Sequence, residues 1–126
     1  PLICEVYPIG GDFAEPEDLQ DQVLVGCRMA AELGADLIKT FYTGKQFGKV
    51  TAATSIPIFA LGALKKPTEL DALVLAHEAV GAGARGVVFG RNVVQASRPQ
   101  ALLDALKEVV KAGVAPQKAA GTYKLT

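Results

Sequence analysis

The chain has 126 residues and a mass of 13.1 kDa, which fits one domain or part of a larger one. Half of the residues are hydrophobic and the mean hydropathy is +0.27, so disorder is excluded as the main state. Lys plus Arg number 13 and Asp plus Glu number 13, a zero balance that argues against a nucleic-acid partner.

Short apolar runs alternate with longer helical stretches along the chain. Pro1–Tyr7 reads as a strand. A helix follows from about Pro16 to Leu33, with Leu19, Val23, Cys27 and Ala30 on one stripe. Pro16 suits a first helical position, Glu17 and Asp18 suit the positive end of the helix dipole, and Gly34 suits the stop. The second strand is Asp36–Tyr42, followed by a short helix over about Lys45–Thr54. The third strand, Pro57–Leu61, runs into a Gly62–Lys66 turn. A third helix spans about Pro67–Val80. Thr68 and Asp71 have the spacing of a capping box, and Leu70, Leu73, Val74 and His77 form the apolar face. His77 therefore reads as a packed helix residue rather than a catalyst. Glycines at 81 and 83 end this helix.

The fourth strand is Gly86–Phe89, and Asn92–Gln95 fits a short extra helix. The last helix starts at Ser97, which has capping-box spacing to Gln100. Leu102, Leu106, Val109 and Val110 form its inner face, and Asp104, Lys107, Glu108 and Lys111 its outer one. The tail from Val114 to Thr126 is weakly patterned. Ala119, Ala120 and Tyr123 form a docking turn there, or the tail is loose.

Strand–helix alternation with short connections predicts parallel strands joined by right-handed crossovers. Four such units are half of a (β/α)8 barrel, which usually takes about 250 residues. An open flavodoxin-like sheet is the rival. No apolar run approaches the roughly 20 residues that span a bilayer, and Pro1–Gly10 has no charged leader, so a cytoplasmic location without a membrane partner is expected. Cys4 and Cys27 read as reduced core thiols.

In a βα fold, function gathers at the carboxyl ends of the strands. Lys39 lies inside an otherwise apolar strand and shares one face with Leu37 and Phe41. An amine in a barrel lumen is costly to keep charged. If its pKa falls toward neutrality, it can attack a carbonyl and form a Schiff base. The alternative is an edge-strand lysine pointing to water. Ile3, Glu5 and Tyr7 share a face, so Tyr7 is a candidate proton carrier beside Lys39, or an aromatic that caps the core. Glu5 either pairs with Lys39 or is solvated. Gly62-Ala63 and Gly90-Arg91 end consecutive strands and suit a phosphate cradle, although ordinary glycine turns look the same. Lys65 and Lys66 read as a solvated turn within reach of such a phosphate.

Three segments, GADLIKTFYTG (34–44), PIFALGALKK (57–66) and AGARGVVFGRNVVQ (82–95), resemble the archaeal-type class I fructose-bisphosphate aldolase family. The resemblance spans roughly Pro1 to Val110 and covers the second half of the family barrel, strands five to eight. It implies a single half-barrel unit over residues 1–126, with 114–126 as a C-terminal tail. It also implies that Lys39 is the Schiff-base lysine and Tyr7 the proton shuttle. Gly62, Ala63, Gly90 and Arg91 match the phosphate-binding elements. The implied activity is a class I aldolase acting on a phosphorylated ketose or a dihydroxyacetone phosphate-type substrate, such as fructose 1,6-bisphosphate. No cofactor or metal is expected, because the imine polarises the substrate and the chain has a single His. A homo-oligomer is the expected assembly.

The chain departs from the family at three places. Tyr7-Pro8-Ile9-Gly10 lacks the arginine of the family's Tyr-Pro-Arg-Gly, which sets the usual bisphosphate substrate in question. Glu5 stands where an aromatic is common, and Ala63 replaces a glycine. The family's strand-one aspartate lies outside this sequence. Deoxyribose-phosphate aldolases carry a second lysine where this chain has Phe59-Ala60-Leu61. A phosphate-binding half-barrel scaffold without catalysis is the alternative function. The length favours a part of a longer protein over a half-barrel that pairs with its own copy.

Overall fold

The computed structural model describes residues 1–9 and 16–126. Gly10 and Gly11, which end the EVYPIGG segment, lie outside the described residues. Four parallel strands form one sheet in chain order: β1 (Ile3–Glu5), β2 (Leu37–Phe41), β3 (Ile58–Leu61) and β4 (Gly86–Val88). This order settles the rivalry between folds. A flavodoxin-like sheet reverses direction part-way, so that helices cover both faces. Here every strand is added to the same edge, and crossovers of one hand leave their helices on one face. The sheet is an arc of a barrel.

The strands are shorter than the sequence suggests at their outer ends. β1 pairs only with β2 and holds just three residues. Beyond it the Val6 N–H still donates to the Lys39 carbonyl at 2.9 Å, and the Thr40 hydroxyl donates to the Val6 carbonyl at 3.0 Å. The backbone leading to Tyr7 is thus tied to β2 after the regular ladder ends.

A 3-10 turn over Pro16–Leu19 leads into α1 (Gln20–Glu32). The predicted stripe of Leu19, Val23, Cys27 and Ala30 is buried. Gly34 ends this helix with φ +98, a left-handed conformation that a side chain would resist. A second 3-10 turn (Gly44–Gln46) opens α2 (Phe47–Ala52), which buries Phe47 and Val50. These residues pack with Ile38, Ile58 and Ala60 from the helix side of the sheet. Burial pushes the Cys27 thiol up to about 12, so it is a packing group rather than a nucleophile.

α3 (Glu69–Gly81) begins with the predicted capping box. The Thr68 hydroxyl accepts from the Asp71 N–H at 3.1 Å, and the Asp71 carboxylate accepts from the Thr68 N–H at 3.0 Å. Its inner face needs correction. Ala72, Leu73, Ala76 and Ala79 are buried, Leu70 and Val74 lie at the border, and His77 is exposed. Small residues let this helix approach its neighbours closely around Leu73, while Val74 sits at the border and His77 turns outward.

α4 (Arg91–Val94) starts one residue before the predicted short helix. α5 (Pro99–Ala112) buries Leu102, Ala105, Leu106 and Val109. Its start also needs correction. Arg98 is the N-cap and Pro99 the first helical residue, so Ser97 caps nothing. Ser97 instead donates its N–H and hydroxyl to Glu69 Oε1, at 3.1 and 2.7 Å. The tail forms α6 (Pro116–Tyr123), which buries Ala119 and Ala120 against α3 and α5. Tyr123 donates its hydroxyl to Glu108 at 2.8 Å, and the Thr126 carbonyl accepts from the Leu70 N–H at 2.8 Å. No described helix is long and apolar enough to cross a membrane.

Candidate active site

The face of the sheet away from the helices carries the candidate residues. In β2, Ile38 and Thr40 are buried beneath the helices, while Leu37, Lys39 and Phe41 alternate onto the open face. The register aligns Glu5, Lys39, Phe59 and Gly86 in one row across the four strands. Lys39 is on an interior strand, not an edge, and its side chain is 31% exposed. Its Nζ lies 3.1 Å from Glu5 Oε1, so Glu5 is paired rather than merely solvated. On the other side, the register places Phe59 beside it. The Phe59 ring in turn covers Gly86, where a Cβ would come within 3.1 Å of Cε1. Lys39 thus stands in its row between a carboxylate residue that pairs with its amine and an aromatic residue on the next strand.

One row nearer the strand ends, Phe41, Leu61 and Val88 are in register. Tyr7 extends this row. Its ring packs on Phe41 with centroids 5.0 Å apart and planes inclined at 55°. Tyr7 is 60% exposed, and it lies on the same face as Lys39, one step further toward the mouth. The charged row and the aromatic row are therefore adjacent.

The glycine turns emerge at the same end. Gly62 follows Leu61 directly and is buried. A Cβ on Gly62 would sit 2.8 Å from Asn92 Nδ2 and 2.9 Å from Phe89 Cδ1, so only glycine fits. Ala63 takes φ +49, a left-handed conformation uncommon outside glycine. Arg91 Nη2 donates to the Ala63 carbonyl at 2.8 Å, which brings the Gly90-Arg91 turn onto the Gly62-Ala63 turn. The predicted phosphate residues are thus brought together. The Arg91 guanidinium keeps further donors beyond that bond. Among the described residues, the backbone N–H groups of Ala63, Leu64 and Lys65 donate to no protein acceptor. Lys65 and Lys66 border an adjoining depression of about 290 Å³ that also touches Glu69 and Asn92.

Three polar contacts had no signature in the sequence. Asn92 is buried and bonds to the Gly62–Lys66 turn. Thr43, also buried, donates its hydroxyl to Gln20, and Gln20 Nε2 donates to the Gln46 carbonyl at 3.1 Å. Thr40 fixes the path to Tyr7. Each links residues more than twenty positions apart, so only the fold reveals the partner. No cluster of three or more metal-binding side chains occurs among the described residues.

The sequence pattern of DeoC/LacD family aldolases matches residues 1–96, a span that holds Tyr7, Lys39 and both glycine turns. The chain belongs to that family. This DeoC/LacD family chain is 36% identical over 112 residues to the 2-amino-4,5-dihydroxy-6-oxo-7-(phosphonooxy)heptanoate synthase of Streptomyces griseus, covering 87% of itself and 40% of that protein. It superimposes on an archaeal fructose 1,6-bisphosphate aldolase with a TM-score of 0.81 and 37% identity, covering 90% of itself and 46% of that chain. A Schiff base-forming fructose-1,6-bisphosphate aldolase gives a TM-score of 0.77 and 35% identity, at 87% and 45% coverage. The chain spans about two fifths of the length of the curated relatives it matches, at 39% and 40% of two of them. Its four βα units match the TIM-barrel fold of these aldolases.

Proposed function

We propose that this chain is the C-terminal half-barrel, strands five to eight, of a class I aldolase, with residues 114–126 as its tail. The substrate is a phosphorylated ketose or a dihydroxyacetone phosphate-type ketone, such as fructose 1,6-bisphosphate. The observation that carries this reading is the position of Lys39 on the open face, in register between Glu5 and Phe59 and one row below the strand ends where both glycine turns emerge.

In this reading, Glu5 holds the Lys39 ammonium in the row until substrate arrives. Once deprotonated, Nζ adds to the keto carbon, and loss of one water leaves a protonated imine. That cation accepts the electron pair of the adjacent carbon–carbon bond, which releases an aldehyde and an enamine. Tyr7 carries the proton between the leaving hydroxyl and the enamine carbon. The free amides at Ala63–Lys65 and the Arg91 guanidinium hold the phosphate, so the keto carbon is delivered to Nζ rather than found by diffusion. Gly90, whose Cβ direction is empty, gives the phosphate room to approach the backbone, and Gly62 lets Asn92 and Phe89 pack directly beneath the turn. The imine supplies the electrophilic activation. The open face and its exposed Ile3 and Val88 support a further half-barrel over them, and a homo-oligomer as the assembled form.

The test is borohydride reduction of the full-length protein in the presence of dihydroxyacetone phosphate, read by intact mass and peptide mapping. A reduced adduct on Lys39, absent in Lys39→Ala, is the expected result. No adduct on folded protein overturns the aldolase reading.

A further inference from the structure

Asn92 is the second residue of α4, and at 4% exposure it is one of few buried polar side chains. Its carboxamide spans the whole turn after β3. Nδ2 donates to the Gly62 carbonyl at 3.0 Å and, at a long 3.4 Å, to the Leu64 carbonyl. Oδ1 accepts from the Lys66 N–H at 2.7 Å. Only a carboxamide both donates and accepts in this way from one planar neutral group. A carboxylate has no donor, and a hydroxyl has one oxygen to serve three partners.

The turn needs an external brace. Ala63 sits inside it at φ +49, a conformation alanine leaves readily when nothing holds it. The bonds from Asn92 fix the residues on either side, Gly62 and Leu64, and the Arg91 guanidinium takes the Ala63 carbonyl between them. With three successive carbonyls held by side chains from the next strand-helix unit, the N–H groups of Ala63, Leu64 and Lys65 keep one fixed presentation. The contact is also steric, because Asn92 Nδ2 occupies the space beside Gly62 that a Cβ would claim.

We propose that Asn92 is a positioning residue for substrate phosphate. It touches no substrate and acts by holding the amides of the 63–65 turn in their anion-facing arrangement. The proposal rests on the phosphate role of that turn given above. It adds a discrimination: loss of Asn92 impairs phosphorylated ketones while leaving imine formation at Lys39 with unphosphorylated ketones intact.

The experiment uses the full-length protein as wild type, Asn92→Ala and Asn92→Ser, each checked by circular dichroism and thermal melting. Inorganic phosphate is titrated by calorimetry, and borohydride capture is timed with dihydroxyacetone phosphate and with dihydroxyacetone. Asn92→Ala is expected to bind phosphate at least tenfold more weakly. It is also expected to lose a similar factor in capture of the phosphorylated ketone, with capture of dihydroxyacetone unchanged within twofold. If Asn92→Ala does not fold, Asn92→Ser, which can keep one of the bonds, is expected to weaken phosphate three- to tenfold. Phosphate affinity unchanged within twofold in a folded variant overturns the proposal. So does equal loss for both ketones, or a wild type that binds no phosphate. A wild type that binds phosphate yet never forms an adduct defeats the Schiff-base reading alone, and the phosphate titrations still decide the role of Asn92.

Discussion

Gly62 has no room for a methyl group. In Gly62→Ala the new Cβ would lie 2.8 Å from Asn92 Nδ2, 2.9 Å from Phe89 Cδ1 and 3.3 Å from Phe89 Cγ. Forcing a methyl into such a site costs about 1–3 kcal/mol. If Asn92 gives way instead of Phe89, the hydrogen bonds to the 62–66 turn go with it, at about 0.5–1.5 kcal/mol each. A total loss of roughly 2–4 kcal/mol is expected. With a urea slope of about 1.5 kcal/mol/M for a domain of this size, the unfolding midpoint falls by roughly 1–3 M. Gly81→Ala is the internal control. Gly81 is the last residue of α3, and nothing lies within 4 Å of its would-be Cβ. That substitution should stabilise by about 0.5–1 kcal/mol through the lower entropy of the unfolded chain. Equilibrium urea unfolding of both variants reads the two signs directly. A Gly62→Ala midpoint within about 0.3 M of wild type would show that the turn is loose, and the account of the glycine site would be wrong.

Three further outcomes follow from the structure. Ala63→Gly should remove a left-handed strain of about 1–2 kcal/mol and add about 0.4–1 kcal/mol of unfolded-state entropy, for a net gain of between zero and about 1.6 kcal/mol in stability; a clear loss refutes the strain. Glu69 accepts hydrogen bonds first from the Thr126 hydroxyl and next from the Ser97 hydroxyl, and these hold its carboxyl down from 4.5 to about 2. Its contribution is present above the unfolded value near 4.5 and is lost as pH falls toward about 2. Solvent screening limits it to about 1 kcal/mol. Glu69→Gln should therefore flatten the stability–pH curve between pH 5 and 2, and an unchanged curve counts against the contact. Tyr7→Phe keeps the ring packing on Phe41 but removes the hydroxyl. Turnover should drop about 10²- to 10⁴-fold, while borohydride capture at Lys39 persists; equal loss of both would assign Tyr7 to folding instead.

Much of the fold was legible because helices that pack on a sheet bury one narrow stripe. In α1 the apolar positions of that stripe, Leu19, Val23 and Cys27, stand out among exposed and polar positions. In α3 the rule misled. The buried positions are mostly alanines, which mark close approach rather than bulk, so Leu70 and Leu73 pointed inward correctly while Val74 and His77 drew attention past the buried alanines. In the tail, Ala119 and Ala120 of the expected docking turn are buried, but small residues gave no sign that the turn is a full helix, α6. Ser97 has the local spacing of a cap, but its hydroxyl is taken by Glu69, 28 residues earlier, and Pro99 sets the helix start instead. Within the site, Lys39, Tyr7 and the glycine turns were visible as residue types that are unusual at strand ends. Asn92 was not, because a polar residue in a short helix looks solvated until its three backbone partners are brought to it by β3 and β4.

The knot around Glu69 gives Thr126 a structural role. Thr126 hangs by its N–H and hydroxyl from the carboxylate that also anchors the start of α5. Thr126 also lines the depression beside Lys65 and Lys66, so a substitution that removes its hydroxyl loosens the join between the start of α3 and the start of α5.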